Sequence, residues 1–191
     1  APDVDWIPQL GASRSSHPDN VERWLAPFLE LGVFRTFDLY GDELCRPIDD
    51  FVPVYRRAKA AGLTLKCHVG EWGSADDVVR AVELLEPDEV QHGIAAAESP
   101  SAMRFLADVG VRLNICPTSN LKLGRVSRIE DHPIRRLYDA GVRVTVNTDD
   151  PLMFGSALSE EFLLLFRAGV MSAEALDDAR CEAMREGGAQ T

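Results

Sequence analysis

The chain has 191 residues, of which 46% are apolar and 27% are charged. These proportions are ordinary for a folded protein and argue against disorder or low-complexity architecture. Lysine and arginine total 20 against 31 for aspartate and glutamate, so the formal net charge is −11. So acidic a chain would repel phosphate backbones and anionic lipids, which argues against nucleic acid and membrane surfaces as partners.

No stretch reaches the ~20 apolar residues of a membrane helix, and the four cysteines form no C-x-x-C pair. We therefore expect a cytoplasmic protein with reduced thiols that acts on a small molecule.

A helix, a glycine and a short apolar strand recur along the chain, and this pattern indicates an α/β fold. The glycines are Gly32, Gly62, Gly110 and Gly141, at positions typical of a helix C-terminus. The apolar runs predict six strands, at residues 6–10, 33–39, 63–67, 90–92, 111–115 and 142–147. Nearly continuous apolar runs are typical of a parallel sheet covered by helices. Strand count alone favours an open doubly wound sheet over an eight-stranded barrel, but no Gly-rich phosphate loop follows any strand.

Several helix starts carry local signals. Ser74 and Asp77 have the spacing of a capping box, and Ser99 stands directly before a proline, as an N-cap residue does. His17 and His132 also precede prolines at predicted helix starts. We therefore predict that these two histidines have structural roles.

Polar side chains collect where three predicted strands end. His68 and Glu71 follow the third strand, His92 ends the fourth, and Asp149 and Asp150 follow the sixth. Because the carboxyl ends of parallel strands face one crevice, these side chains are expected to converge. Taken singly, each has a structural alternative, such as a hydrogen-bonded histidine or an aspartate that caps a helix. Their coincidence at one level favours a divalent metal site with general acid–base chemistry.

Motifs in this order resemble the adenosine deaminase family of metal-dependent amidohydrolases. They are AGLTLKCHVGE at 61–71, QHGIA at 91–95, CPTSN at 116–120, HP at 132–133 and NTDDP at 147–151, preceded by FDLYGDE at 37–43. The resemblance implies an α/β fold, the (β/α)8 TIM barrel of the amidohydrolase type. The family's first strand carries a His-x-His pair, which this sequence lacks, and residues 6–10 match the third strand better. We therefore expect residues 1–191 to be a single, incomplete barrel domain with about strands three to eight.

The resemblance implies chemical roles for four residues. His68 and Asp149 are implied as metal ligands, and Asp149 also counts among the catalytic residues. Glu71 is implied as the acid that protonates purine N1. His92 is implied as the residue that orients the attacking water and helps to deprotonate it. The CPTSN motif is expected to be scaffold more than chemistry.

The implied reaction is zinc-dependent hydrolytic deamination of adenosine or a related 6-aminopurine such as adenine, with release of ammonia. Substrate contacts are implied for the N–H of Gly41, to purine N3, and for Asp150, to N7. The implied cofactor is one Zn²⁺ per complete site, since bound zinc lowers the pKa of water from 15.7 to about 7. Two alternatives stay open. One is a non-catalytic purine-binding or scaffold remnant that has lost its metal site, and the other is an amidohydrolase that acts on another C–N bond.

An open arc of strands has consequences for assembly. It would leave two strand edges unpaired, at residues 6–10 and 142–147, and part of an apolar barrel interior exposed. Such edges invite pairing with another chain. We therefore expect homo-oligomers that form through the exposed edges.

Overall fold

In the computed structural model, which describes residues 6–185, parallel strands alternate with helices. The strands are β1 (Gln9–Ser13), β2 (Thr36–Tyr40), β3 (Thr64–Val69), β4 (Glu89–His92), β5 (Arg112–Ile115) and β6 (Arg143–Val146). The helices are α1 (Pro18–Glu30), α2 (Val52–Ala60), α3 (Ala75–Leu85), α4 (Pro100–Val109), α5 (Pro117–Lys122), α6 (Ile134–Asp139), α7 (Pro151–Phe154), α8 (Leu158–Arg167) and α9 (Ala173–Met184). Short 3₁₀ turns lie at Ile48–Phe51, Ile94–Glu98 and Ile129–Asp131.

The predicted strands are present, but some of their bounds differ. Trp6 and Ile7 are 88% and 66% exposed and lie before β1. They are apolar but bury little surface, so the prediction of a strand at 6–10 is wrong by three residues. β3 continues past residue 67 to Val69, because His68 and Val69 still pair with residues of β4. His68 is therefore part of the strand and not of the loop that follows.

Each strand pairs with the next one along the chain, and all five pairings are parallel. A doubly wound sheet would reverse its strand order at a switch point. The strand-count argument for that fold is therefore wrong, and the consecutive order is that of a β/α barrel. The expectation of an incomplete barrel is confirmed. Among the described strands, β1 and β6 each pair on one side only.

The two faces of the sheet differ sharply in polarity, because alternate residues of a strand point to opposite faces. One face packs against the helices with buried apolar side chains: Phe37, Leu39, Leu65, Cys67, Val90, Leu113, Ile115, Val144 and Val146. The other face lines a cavity of about 330 Å³ with polar and charged side chains, including Asp38, Lys66, Glu89, Arg112, Asn114 and Thr145. Glu89 accepts a hydrogen bond from Asn114 (2.6 Å) and lies 3.4 Å from the Lys66 ammonium. The expected apolar interior is therefore wrong for this part of the barrel.

The predicted helix starts are confirmed by hydrogen bonds. Oγ of Ser74 accepts the N–H of Asp77 (3.2 Å), and Oδ2 of Asp77 accepts the N–H of Ser74 (2.8 Å). Ser99 caps α4, and His17 caps α1 through its Nδ1. Within residues 6–185, every helix is too short or too polar to cross a membrane.

Candidate active site

One cavity at the carboxyl ends of the strands brings five of the predicted site residues together. This cavity, of about 420 Å³, is lined by Gly41, His68, Glu71, His92 and Asp149, together with Tyr40, Asp42, Glu43, Leu44 and Trp72. Asp150 is not among the lining residues. Its Oδ1 accepts the N–H groups of Leu152 and Met153 (both 2.9 Å) and so caps α7. The structure therefore gives Asp150 the helix-capping role that was its structural alternative.

His68 is held by a carboxylate from the neighbouring strand. Asp38 is buried on β2, and its Oδ1 lies 3.2 Å from Nδ1 of His68. Burial lowers the pKa of His68, but the hydrogen bond and charge of Asp38, together with the charges of Asp149 and Glu71, raise it, and the net pKa is raised. The contact occupies Nδ1, so Nε2 is the nitrogen with which His68 could bind a metal. A carboxylate behind a histidine in this way is the usual arrangement around metal-binding imidazoles.

Glu71 lies in the loop after β3, and that loop is held by a second glutamate. The buried carboxylate of Glu43 accepts the N–H of Gly70 (2.7 Å) and the N–H of Trp72. The indole N–H of Trp72 also donates to Oε2 of Glu71 (3.1 Å). Burial, followed by the negative charge of Asp149, raises the pKa of Glu71. A raised pKa lets a carboxyl group hold a proton at higher pH than a solvated glutamate does, which favours the role of a proton donor.

His92 has an unusual backbone conformation. Its φ is 64°, in the left-handed region that residues other than glycine rarely adopt. Gly93 follows with φ 66°, and a Cβ there would lie 2.9 Å from Cδ2 of Leu113. Backbone strain of this kind is concentrated at functional sites. Burial, followed by the charge of His68, lowers the pKa of His92 to about 4, so its ring is neutral near pH 7.

Two residues of α5 contact the site, and the sequence analysis missed both. Oγ of Ser119 donates to Oδ2 of Asp149 (2.7 Å). Nδ2 of Asn120 lies 3.4 Å from Oε1 of Glu71 and 3.3 Å from Nδ1 of His92. The expectation that CPTSN is more scaffold than chemistry therefore stays a prediction, and the part that its last two residues play is to contact the side chains of the site. The available signal was their position, because polar residues directly after β5 share the edge at which the other strands end.

The residues of the cavity fit part of a divalent metal centre. One ligand atom each from Glu71, His92 and Asp149 lie within 4.8 Å of one another. The implied ligands, His68 and Asp149, offer an imidazole nitrogen and a carboxylate oxygen, both of which zinc accepts. A catalytic zinc usually keeps three protein ligands. Within residues 6–185, no histidine besides His68 and His92 lines the cavity. If Glu71 and His92 have the acid–base roles that the resemblance implies, His68 and Asp149 are left as two ligands, one fewer than that number.

Comparisons with known proteins agree with this fold. The sequence model of the adenosine deaminase family matches residues 11–190. A protein of Treponema pallidum described as an adenosine/adenine deaminase is 43% identical to this chain over 171 residues. The match covers 88% of this chain and 57% of that protein. The crystal structure of an adenine deaminase from Arthrobacter aurescens superposes with a TM-score of 0.90 at 27% identity, over 97% of this chain and 57% of that one. A zinc-bound amidohydrolase from Burkholderia ambifaria gives a TM-score of 0.81 at 26% identity, over 92% and 50%. The chain thus spans little more than half the length of these proteins.

Proposed function

Because the chain belongs to the adenosine deaminase family, we propose that it forms the acid–base part of the active site of an enzyme that deaminates a 6-aminopurine by hydrolysis. In this reaction water adds to C6, a proton that the water gives up is passed to the amino nitrogen, the bond from C6 to that nitrogen breaks, and ammonia leaves. The observation that carries the proposal is the convergence of Glu71, His92 and Asp149 on one cavity. Their sequence separation excludes a local structural cause for that convergence.

Glu71 supplies the proton that activates the ring. Its pKa is raised by burial and by the charge of Asp149, so the carboxyl group holds a proton at higher pH than a solvated glutamate does. Transfer of that proton to purine N1 makes C6 more electrophilic. On the other side of the reaction, the attacking water must lose a proton to a basic group. The cavity offers two such groups, the neutral imidazole of His92 and the carboxylate of Asp149.

A zinc ion would be held by His68 and Asp149, with further ligands from the part of the barrel that these residues do not supply. When bound, it would lower the pKa of water to about 7 and so make a nucleophile available at neutral pH. Asp38 would keep the His68 ring oriented, and Ser119 would do the same for the Asp149 carboxylate. These contacts use Nδ1 of His68 and Oδ2 of Asp149, so Nε2 and Oδ1 are the atoms that would face the ion.

The relatives indicate a 6-aminopurine as the substrate, and an assay must decide between adenine and adenosine. The Treponema relative is described as an adenosine/adenine deaminase, and the Arthrobacter structure is that of an adenine deaminase. We therefore propose adenine and adenosine as the two substrates to compare. The contacts of Gly41 and Asp150 with the purine ring remain predictions.

The test is a Glu71→Gln substitution in a protein that joins residues 1–191 to the first two βα units of the barrel. Glutamine keeps the shape of the side chain but cannot donate the proton. We expect turnover of adenine or adenosine to fall by about 10²- to 10⁴-fold, with substrate binding retained. Ammonia release measures the turnover, and calorimetry with the purine measures the binding. Glu30→Gln, on the exposed surface of α1, is the matched control and should have no effect.

Near-normal turnover in Glu71→Gln would contradict the proposed acid and favour an amidohydrolase for another C–N bond. Absence of ammonia release and of bound zinc in the unsubstituted protein would favour the non-catalytic remnant. The two alternatives therefore give different outcomes in the same experiment.

A further inference from the structure

Asn120 is a fully buried amide whose polar atoms face three other side chains of the site. Its Nδ2 lies 3.4 Å from Oε1 of Glu71 and 3.3 Å from Nδ1 of His92. Its Oδ1 lies 3.4 Å from Nε2 of His132. Since Asn120 is 0% exposed, bulk water does not compete for these contacts. The amide therefore links a buried histidine outside the cavity to two residues that line it.

A backbone amide determines the direction of the hydrogen bonds along this chain of contacts. The N–H of Ile134 lies 3.2 Å from Nδ1 of His132, and a backbone N–H can only donate. Nδ1 of His132 is therefore the acceptor. A neutral imidazole carries one hydrogen, so that hydrogen is on Nε2. Burial lowers the pKa of His132 to about 4, which keeps the ring neutral near pH 7.

The hydrogen on Nε2 of His132 fixes the orientation of the Asn120 amide. It requires an acceptor, so the atom of Asn120 that faces His132 is Oδ1. The reversed amide would place an NH₂ donor against an N–H donor and an oxygen against the carboxyl oxygen of Glu71. The NH₂ group therefore faces the cavity, with one hydrogen for Glu71 and one for His92.

We infer that Asn120, held by His132, is a positioning residue that fixes His92 in the tautomer with its hydrogen on Nε2 and keeps the Glu71 carboxyl group beside that ring. An NH₂ group can only donate, so Nδ1 of His92, at 3.3 Å from it, is the acceptor, while Oε1 of Glu71 lies 3.7 Å from the same nitrogen, too far for a hydrogen bond. Nε2 of His92 lies 3.9 Å from Oδ2 of Asp149, and its hydrogen is directed to that side of the cavity.

The tautomer separates two roles that the resemblance assigns to one residue. An imidazole that presents N–H to the Asp149 side can orient the oxygen of the attacking water as a donor, but it cannot accept a proton through the same nitrogen. The Asp149 carboxylate is then the group left to take the proton that the water loses. This inference takes the catalytic roles of Glu71 and His92 from the proposed function, whereas the direction of the hydrogen bonds rests on the geometry alone.

The test reads the tautomer directly by NMR of imidazole nitrogens labelled with ¹⁵N, in the 191-residue chain treated with a chelator. The chain has four histidines, and loss of one signal set in His92→Gln assigns His92. In the unsubstituted chain we expect His92 to be protonated on Nε2 and bare on Nδ1. Asn120→Asp keeps the shape of the side chain but replaces the donor with an acceptor. It should therefore move the hydrogen of His92 to Nδ1 or leave both nitrogens protonated.

Asn20→Asp adds the same negative charge on the exposed surface of α1 and should leave the His92 signals unchanged. The exposed ring of His17 serves as an internal control in every sample. The inference is overturned if His92 of the unsubstituted chain is protonated on Nδ1 or averages between tautomers, or if Asn120→Asp leaves its tautomer unchanged. These readings do not require turnover, so the inference and the proposed function fail separately.

Discussion

His68 and Asp149 are the two proposed metal ligands, and each makes one hydrogen bond with a neighbouring side chain. Asp38 occupies Nδ1 of His68, and Ser119 donates to one oxygen of Asp149. Such partners fix the ring and the carboxylate in one orientation before an ion arrives. Their loss typically costs 10- to 100-fold in metal affinity. These contacts therefore predict that loss of a proposed ligand abolishes zinc binding, whereas loss of its hydrogen-bond partner only weakens it.

In a protein that includes the first two βα units, His68→Ala or Asp149→Ala should abolish bound zinc, because each removes a proposed ligand. Asp38→Asn should retain zinc with an affinity lowered by about 10- to 100-fold. Zinc content after dialysis and competition with a chromogenic chelator measure both effects. His17→Ala is the control, since that ring lies on the surface at the start of α1. Stoichiometric zinc in either ligand variant would show that the ligand assignment is wrong.

The loop between β3 and α3 determines the position of Glu71. Gly70 follows the strand with φ 74°, and a Cβ at that position would lie 2.3 Å from Cγ2 of Val78 on α3. The glycine therefore permits both the turn and the close approach of the helix. Glu43 then accepts hydrogen bonds from the backbone on either side of Glu71. The position of Glu71 thus depends on a glycine, a helix and a carboxylate from another loop.

Gly70→Ala should destabilise the protein more than Gly62→Ala does. Both glycines have φ between 74° and 78°, but a Cβ at Gly62 meets nothing within 4 Å. The shared left-handed backbone costs about 1–2 kcal/mol in each variant, and overpacking adds about 1–3 kcal/mol only at Gly70. Urea unfolding measures both free energies. In a Val78→Ala background the excess at Gly70 should shrink, and an equal cost at the two glycines would refute the packing argument.

Local signals predicted elements well and long-range contacts poorly. The capping box at Ser74 and Asp77 was readable because both hydrogen bonds form within one helical turn. Trp6 was misread because an apolar residue looks the same in sequence whether it is buried or exposed. The contact of Asn120 with Glu71 spans 49 positions and exists only because β3 and β5 end at the same edge of one sheet. No periodicity within either segment encodes that distance.

The sheet as a whole has two faces of different polarity and two open edges. Its helix-facing side is apolar, its other side carries the polar cluster around Glu89, and β1 and β6 pair on one side only among the described strands. Unpaired backbone groups along a strand edge are a template for another chain. The polar cluster by itself gives a second copy little apolar surface to bury. Association of the isolated chain is therefore expected to depend on the edges.

The 191-residue chain by itself should self-associate, with a mass that rises with concentration in sedimentation velocity. Directly before β1, the O of Pro8 accepts the N–H of Arg35, and directly after β1 the N–H of Arg14 donates to the O of Tyr40, so both groups face the β2 side. Because the direction alternates along a strand, the N–H of Ser13 faces the open edge. Ser13→Pro removes that donor and should weaken association, whereas Ser13→Ala keeps it and serves as the control.

The isolated chain should also hold less than one zinc, because His68 and Asp149 are its only proposed ligands. It should therefore release little ammonia from adenine or adenosine. A monomer with one tightly held zinc and turnover near ~10 s⁻¹ would overturn this prediction, and would require the described residues to complete the metal site with ligands other than those proposed.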